Sequence, residues 1–131
     1  MDSDLYQEQI LDHYKHPRHK EVLVKFDFKH RELNPVCGDD LTFYVKIDKK
    51  RKKVIEHISF TGQGCAISQA SASLLAEELQ GKTMLELEQL NPKNIYSLLG
   101  IEISPGRVKC ALLCLTTLHK GLKEYQDKRV S

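Results

Sequence analysis

The side chains of this sequence that could do chemistry are its four cysteines, Cys37, Cys65, Cys110 and Cys114. The first residues, Met1-Asp2-Ser3-Asp4, are acidic and lack the apolar run of a signal peptide, which predicts a cytoplasmic protein. Structural disulfides are not expected in a reducing cytosol. Metal binding, sulfur chemistry and simple burial therefore remain open for each thiol.

Cys37 lies in the stretch Asn34-Pro35-Val36-Cys37-Gly38-Asp39. Asn, Pro and Gly favour a turn, so we expect the Cys37 thiol at the protein surface. The carboxylate of Asp39 is near enough in sequence to share one cation with the Cys37 thiolate. On a turn, Cys37 is also the thiol that ligand exchange should release most easily, and its thiolate could then attack the outer sulfur of a persulfide.

Cys65 and Cys110 both lie where a helix is predicted to begin. Cys65 follows Gly62-Gln63-Gly64, whose glycines should bring the backbone close around it, and Cys110 follows Pro105-Gly106. The helix macrodipole and free N–H groups at such positions favour the thiolate, the nucleophilic and metal-binding form. At about 100° per residue, Cys110 also points away from the apolar stripe of its helix, which is not typical of a core packing residue.

Three thiolates and one carboxylate, from Cys37, Cys65, Cys110 and Asp39, make the four ligands of a tetrahedral zinc site. Any one of these cysteines alone is better explained as a small buried hydrophobe. All three cysteines are flanked by Gly or Pro and two lie at helix starts, and together these features favour a metal site. The spacing between them is much wider than in the CxxC pairs of zinc fingers, so the spacing adds little support.

Arg107 and Lys109 supply positive charge beside Cys110. Zinc bound by three thiolates and one carboxylate carries a net negative charge, which these cations could offset while steering an anionic persulfide. The alternative is that both are ordinary exposed basic residues near a helix start. The sequence favours a supporting role for Arg107 and leaves the role of Lys109 open.

The remaining candidate residues indicate ordinary core or surface roles. Cys114, flanked by leucines, is interpreted as a half-buried packing residue, with a fifth ligand as the alternative. His13, His16 and His19 are interpreted as a solvated basic surface, and Lys49–Lys53 as a solubilising turn. With 20 basic and 18 acidic residues the net charge is only +2, which argues against a nucleic-acid partner. No apolar run in the sequence is long enough to suggest a membrane partner.

The elements that must position these residues run from strands to helices along the chain. Asp4 is predicted to cap a first helix that ends at Pro17, and residues 15–32 to form a loop or edge segment. Period-two alternation predicts a strand over 41–47 and a weaker one over 54–61. Capping signals and apolar periodicity predict later helices from Cys65 to Gly81, from Thr83 to before Pro92, over Lys93–Leu99 and after Pro105. This order predicts one α+β domain over residues 1–131, with helices packed on a small antiparallel sheet.

Three blocks of the sequence resemble a known family. The blocks Asn34-Pro35-Val36-Cys37-Gly38-Asp39, Gly62-Gln63-Gly64-Cys65-Ala66-Ile67-Ser68-Gln69-Ala70-Ser71-Ala72-Ser73 and Arg107-Val108-Lys109-Cys110-Ala111-Leu112 resemble the cysteine blocks of the IscU/SufU (NifU N-terminal-like) iron–sulfur cluster assembly proteins. The stretch Ile10-Leu11-Asp12-His13-Tyr14-Lys15-His16-Pro17-Arg18 resembles the opening helix of that family. The resemblance covers nearly the whole chain in the same order.

The resemblance implies a SufE/NifU-like α+β fold with a three-stranded antiparallel sheet. It implies a site of Cys37, Asp39, Cys65 and Cys110 that takes zinc or a transient [2Fe–2S] cluster. The implied partner is a pyridoxal-phosphate-dependent cysteine desulfurase of the SufS/IscS type, which delivers sulfur as a persulfide to Cys37. Apo-proteins or other iron–sulfur assembly components are the implied recipients.

The third block separates two subtypes of the family. IscU-type members place a His immediately before the third cysteine, after a Leu-Pro-Pro-Val-Lys motif, whereas this chain has Lys109 there. The Arg-x-Lys-Cys form resembles SufU, in which the Arg, here Arg107, and the zinc site serve sulfur transfer. SufU-type members usually have a longer insertion before the third cysteine than this chain has.

Three functions remain open at this point. The first is a zinc-dependent, sulfurtransferase-like acceptor, and the second is a non-enzymatic scaffold for a [2Fe–2S] cluster. The third is a structural zinc-binding module without sulfur chemistry. Arg107 and Lys109 favour the first over the second, and the positions of the cysteines on loops and helix starts argue against the third.

Overall fold

The computed structural model describes the backbone of residues 2–130 and the side chains of residues 7–129. The described chain is an α+β structure with an antiparallel three-stranded sheet, as predicted, and a single 3-10 turn at Pro105–Arg107. In chain order its elements are α1 Asp2–Lys15, β1 Phe28–Asn34, β2 Asp39–Ile47, β3 Ile55–Gln63, α2 Ala66–Leu79, α3 Met84–Gln89, α4 Pro92–Leu99 and α5 Val108–Val130.

The sheet has β2 in the centre and β1 and β3 at its edges. Alternation predicts β2, but the strand begins earlier, at Asp39, because Asn34 and Asp39 already pair across the β1–β2 hairpin. The segment predicted as a loop or edge segment contains most of the edge strand β1. β3 extends beyond its predicted end at Thr61, so Gly62 lies inside the strand rather than breaking it.

Helices α2 and α5 pack against the sheet and against each other. Helix α1 packs on α2, and α4 packs on both α2 and α5. Burying each large apolar side chain between these layers contributes roughly 1.5–3 kcal/mol. The buried side chains from β2 and β3 include Leu41, Phe43, Val45, Ile58 and Phe60. None of the helices in the described part of the chain is long and apolar enough to cross a membrane.

Local signals set most of the helix boundaries. At α3, Thr83 Oγ1 accepts a hydrogen bond from the Glu86 N–H and the Glu86 carboxylate accepts one from the Thr83 N–H, which is the predicted capping box. Helix α2 ends before Gly81, whose φ of 77° is left-handed and favours glycine. The predicted cap at Asp4 is wrong, because α1 already begins at Asp2.

His13 is buried between α1 and α2, so its assignment to a solvated surface is wrong. Its Nδ1 is hydrogen-bonded to Ser73 Oγ at 2.7 Å, and the same oxygen accepts a hydrogen bond from the Arg18 N–H at 2.8 Å. Burial lowers the pKa of His13 below its ordinary 6.5, and the positive charge of Arg18 lowers it further. Glu77 and Asp12 act in the opposite direction with smaller effect.

We expect the free energy of unfolding to fall as the pH drops below 6.5, the ordinary pKa of His13. The unfolded chain binds this proton more readily than the folded one, so the stability contributed by the neutral ring is complete above that pH and is lost below it. Replacing His13 with Gln should flatten the dependence of the unfolding free energy on pH below 6.5. His16→Gln, at an exposed position, should leave that dependence unchanged. Urea unfolding at pH values from roughly 5 to 8 measures both variants. If the His13→Gln protein loses stability as steeply as the parent when the pH falls, protonation of His13 is not the cause of the loss.

Candidate metal centre

A tight turn carries Cys37. The chain leaves β1 at Asn34, and the Cys37 N–H donates to the Asn34 carbonyl at 3.3 Å. Pro35 presets the turn, and Gly38 follows with a φ of 70°, a left-handed conformation that favours glycine. The predicted turn is therefore confirmed, and it leaves the Cys37 side chain partly exposed.

The Asp39 carboxylate is buried and is held by three donors. Its Oδ1 accepts hydrogen bonds from the Cys65 N–H at 2.9 Å and from the Ser68 hydroxyl at 3.0 Å. Its Oδ2 accepts one from the side-chain amide of Asn34 at 3.2 Å. A hydrogen bond to a charged group contributes roughly 1.5–3 kcal/mol. Asp39 therefore ties the β1–β2 hairpin to the start of α2.

Two glycines allow the junction between β3 and α2 to lie against this carboxylate. A Cβ at Gly64 would overlap Asp39 Oδ1 and crowd Ser68 Oγ, and a Cβ at Gly62 would overlap the backbone carbonyl of Asp40. The close backbone approach expected from the glycines is confirmed. Any larger residue at Gly64 must displace the Asp39 carboxylate or the helix start.

Cys65 is the N-cap residue of α2, as the sequence predicts. Its sulfur accepts a hydrogen bond from the Ser68 N–H at 3.5 Å, in the way that a Ser or Asp oxygen caps a helix. Its own N–H is donated to Asp39. Cys65 therefore contacts the carboxylate through its backbone while its partly exposed thiol remains available at the helix start.

Cys110 is the third residue of α5 and is fully buried. It lies off the apolar stripe, as predicted, because its thiol donates to Cys37 Sγ at 2.7 Å and accepts a hydrogen bond from the Asn34 amide at 3.6 Å. Burial raises the pKa of Cys110 well above its usual range, and Cys37, Asp39 and Cys65 raise it further. The raised pKa of Cys110 runs against the expectation that the helix start favours its thiolate, because burial disfavours the charged form.

The structure brings the ligand atoms of Cys37, Asp39 and Cys110 within 4.8 Å of one another. Cys65 lies beside this group but its sulfur is not within that distance of all three atoms. The Cys65 thiol adds to the raised pKa of Cys110, so it lies near the Cys110 sulfur. Thiolate sulfurs and a carboxylate oxygen are ligands that zinc accepts, so the donor set fits that metal.

Arg107 lies in the turn directly before α5 and its side chain is exposed. The nearby thiols raise the pKa of Arg107, with Cys110 the largest influence and Cys65 and Cys37 adding to it. Its guanidinium therefore lies near the three sulfurs. Lys109 is also exposed, but it lines a neighbouring groove of about 260 Å³ between β1 and α5.

Cys114 follows Cys110 by one turn and is fully buried within the apolar core. Burial raises the pKa of the Cys114 thiol to about 12, with Ser71 of α2 as a smaller, opposing influence. The sequence predicts a half-buried packing residue, and the structure differs only in the degree of burial. The close contact between α2 and α5 accounts for that difference.

Two polar residues of the site, Asn34 and Ser68, were not singled out from the sequence. Asn34 opens the turn, where Asn is common for local reasons, and Ser68 lies one turn into α2. These local roles give no indication that both side chains reach Asp39. That contact depends on the packing of the hairpin against α2, which no local pattern reports.

The fold and this cysteine–carboxylate group together define a class of iron–sulfur assembly domains. Residues 5–131 match the model of the NifU-like N terminal domain, and the chain belongs to that family. It is 34% identical over 142 aligned positions to the zinc-dependent sulfurtransferase SufU of Bacillus subtilis, covering 93% of this chain and 92% of that protein. It is 35% identical over 124 positions to the iron-sulfur cluster assembly scaffold protein IscU of Aquifex aeolicus, covering 95% of this chain and 78% of that protein.

A solved structure shows the same fold. The crystal structure from Fervidobacterium islandicum AW-1, described as a candidate iron-sulfur cluster assembly scaffold protein for the SUF system, is similar with a TM-score of 0.75. It is 29% identical, and the alignment covers 93% of this chain and 99% of that one. The family resemblance inferred from the three cysteine blocks is confirmed.

We expect Gly64→Ala to weaken zinc binding strongly. The added methyl overlaps the Asp39 carboxylate, so the carboxylate must turn away from Cys37 and Cys110. Displacing a supporting contact of a metal site typically lowers affinity by roughly 10–100-fold. Competition with a chromophoric chelator measures the zinc dissociation constant.

Gly106→Ala is the matched control, because a Cβ there meets open space although the residue is close to Arg107 in sequence. It should bind zinc as the parent does. Equal zinc affinity in the Gly64→Ala and Gly106→Ala proteins would show that the position of the Asp39 carboxylate does not matter to the site.

Proposed function

We propose that this protein accepts sulfur, as a persulfide, from a pyridoxal-phosphate-dependent cysteine desulfurase and passes it on for iron–sulfur cluster assembly. The observation that supports this most directly is the convergence of Cys37, Asp39 and Cys110, with the Cys65 thiol facing the same place. The B. subtilis relative, described as a zinc-dependent sulfurtransferase, supports the transfer chemistry. Apo-proteins or other cytoplasmic assembly components are the proposed recipients, and residues 1–131 act as one domain.

Cys37, Asp39, Cys65 and Cys110 are the proposed zinc ligands. They come from the β1–β2 turn, the start of β2, the N-cap of α2 and the first turn of α5. Zinc bound there supplies positive charge that keeps coordinated thiols deprotonated. Burial raises the pKa of the Cys110 thiol, and a bound cation opposes that effect.

Cys37 is the proposed sulfur acceptor. It is the partly exposed thiol on a turn, whereas Cys110 is buried. The Cys37 thiolate attacks the outer sulfur of the donor persulfide, a new S–S bond forms, and the donor cysteine leaves as a thiolate. Cys37 then carries the persulfide, and no oxidant or reductant is consumed in the exchange.

Arg107 supports this step by its charge. Its guanidinium faces the sulfurs of Cys37, Cys65 and Cys110. A fixed cation at the edge of the site attracts an anionic persulfide and stabilises negative charge as it moves between sulfurs. Exposed Leu33 and Val36, which flank this site on the same hairpin, provide apolar surface for the protein that brings the sulfur.

A second candidate function is that of a scaffold on which a [2Fe–2S] cluster is assembled. The similarity to IscU of A. aeolicus, described as an assembly scaffold, supports it. In this reading the cluster is cargo, held by Cys37, Cys65 and Cys110 with Asp39. A structural zinc module without sulfur chemistry is not favoured, since both relatives are described by sulfur transfer or cluster assembly.

We expect Cys37→Ser to abolish stimulation of the partner desulfurase. The alcohol is similar in size, but near neutral pH it is a poor nucleophile and cannot carry a persulfide. Cysteine turnover by the desulfurase, with and without added protein, measures the effect. Mass spectrometry of trapped thiols should find the extra sulfur on Cys37 of the parent.

Cys114→Ala is the control for general effects of removing a cysteine, because Cys114 is a core residue away from the ligand group. It should stimulate turnover normally once its folding is verified. If Cys37→Ser stimulates turnover and Cys110→Ser does not, the acceptor is Cys110 and the assignment of Cys37 is wrong.

We expect Arg107→Gln to slow sulfur transfer at least several-fold while zinc remains bound. The substitution removes the charge that faces the sulfurs but no ligand atom. Lys109→Gln removes an equal charge from the neighbouring groove and should have a smaller effect on the rate. Single-turnover transfer assays at low and high salt compare the two variants. Equal losses would show that only the net charge of this surface matters.

A further inference from the structure

Asn34 contacts three of the four proposed ligand residues. Its carbonyl accepts the Cys37 N–H at 3.3 Å. Its side-chain amide donates to Asp39 Oδ2 at 3.2 Å and to Cys110 Sγ at 3.6 Å. The side chain is buried, with 6% of the residue exposed, so these contacts are shielded from water.

We propose that Asn34 is a positioning residue that selects the ligand oxygen of Asp39 and holds it at the right distance from Cys110. The role rests on the metal site of the proposed function. Asn34 touches ligand residues of the hairpin and of α5, which are also joined by the contact between the Cys110 and Cys37 sulfurs. A single planar amide, with two N–H groups, bridges a carboxylate and a thiol from these separate elements.

Counting the hydrogen-bond donors at Asp39 identifies the carboxylate oxygen that is available to a metal. Each carboxylate oxygen has about two lone-pair sites. The Cys65 N–H and the Ser68 hydroxyl both approach Oδ1, although the hydroxyl is shared with the Cys65 carbonyl at 3.1 Å, whereas among the described residues the Asn34 amide is the donor at Oδ2. Oδ2 is therefore the less occupied oxygen and the one through which Asp39 binds a metal.

The same geometry orients Cys110. The weak, long contact from the Asn34 amide leaves the sulfur free to bind a metal while restricting its rotation. Hydrogen bonds to ligand residues fix their orientation, and losing one typically costs a metal site roughly 10–100-fold in affinity. Asn34 supplies such a bond to two ligands at once.

A purely structural role for Asn34 predicts a different outcome. In that case the amide only satisfies the buried Asp39 carboxylate, and its loss destabilises the fold without changing zinc affinity in molecules that remain folded. The two roles separate when zinc affinity and folding stability are measured independently on the same variants.

The test compares Asn34→Leu with the parent protein. Leu has a similar shape and suits a buried position but donates no hydrogen bond. Asn34→Ala is the second variant, should the larger side chain fail to pack. Thr117→Val is the matched control, because Thr117 is fully buried on α5 and its hydroxyl donates only to the Leu113 carbonyl, which is not part of the site.

Zinc dissociation constants come from chelator competition at a temperature at which all variants are folded. Cobalt(II) substituted into the site gives an absorption spectrum that reports the ligand geometry. We expect both Asn34 variants to bind zinc roughly 10–100-fold more weakly than the parent and to shift the cobalt spectrum. Thr117→Val should lower stability while leaving both readouts at the parent values.

Parent-like zinc affinity and an unchanged cobalt spectrum in Asn34→Leu would overturn the positioning role. A loss no larger than that of Thr117→Val would overturn it as well. Neither result affects the sulfur-acceptor assignment, which is tested by persulfide on Cys37. If the parent itself binds neither metal, the metal site fails together with this role, while the persulfide assay still decides the transfer function.

Discussion

The buried carboxylate of Asp39 is the constraint on which the rest of the site depends. An ionised group removed from water is tolerated only when donors surround it, and here the donors come from the end of β1, the N-cap of α2 and the first turn of that helix. Satisfying one carboxylate therefore fixes the start of β2 relative to the end of β1 and the start of α2. These segments carry or adjoin Cys37 and Cys65, so both residues are brought near Asp39, and the close approach at Gly64 is a condition for it.

Electrostatics explain why a metal suits this arrangement. The site combines a carboxylate with three thiols, and burial opposes ionisation of Cys110. Without a cation, ionising these thiols beside the carboxylate would accumulate like charges at low solvent exposure. A divalent ion reverses the balance, since each ligand then gains an attractive partner in place of a repulsive one. Arg107 is the cation that we propose acts on the remaining charge, because its pKa is raised by the nearby sulfurs.

Much of this could be predicted from the sequence, and the limits are physical. Alternation in residues 41–47 and the capping box at Thr83 are local signals, and both correspond to observed elements. The less exposed positions in the middle of edge strand β1 are the polar residues His30 and Glu32, so no apolar alternation marks this strand. The burial of His13, the raised pKa of Cys110 and the role of Asn34 depend on partners from distant elements. Composition and spacing carry no information about those contacts.

The order of the ligands along the chain has a consequence for synthesis on the ribosome. Cys37 and Asp39 lie on the first hairpin, whereas Cys110 lies on the last helix, so a nascent chain carries the first two long before the third. Translation proceeds from the amino terminus, and docking of α5 must wait until that helix has emerged. The complete donor set therefore exists only in a finished fold. A truncated or stalled chain would present isolated thiols, and under the proposed function capture of a metal would mark the completion of synthesis and packing.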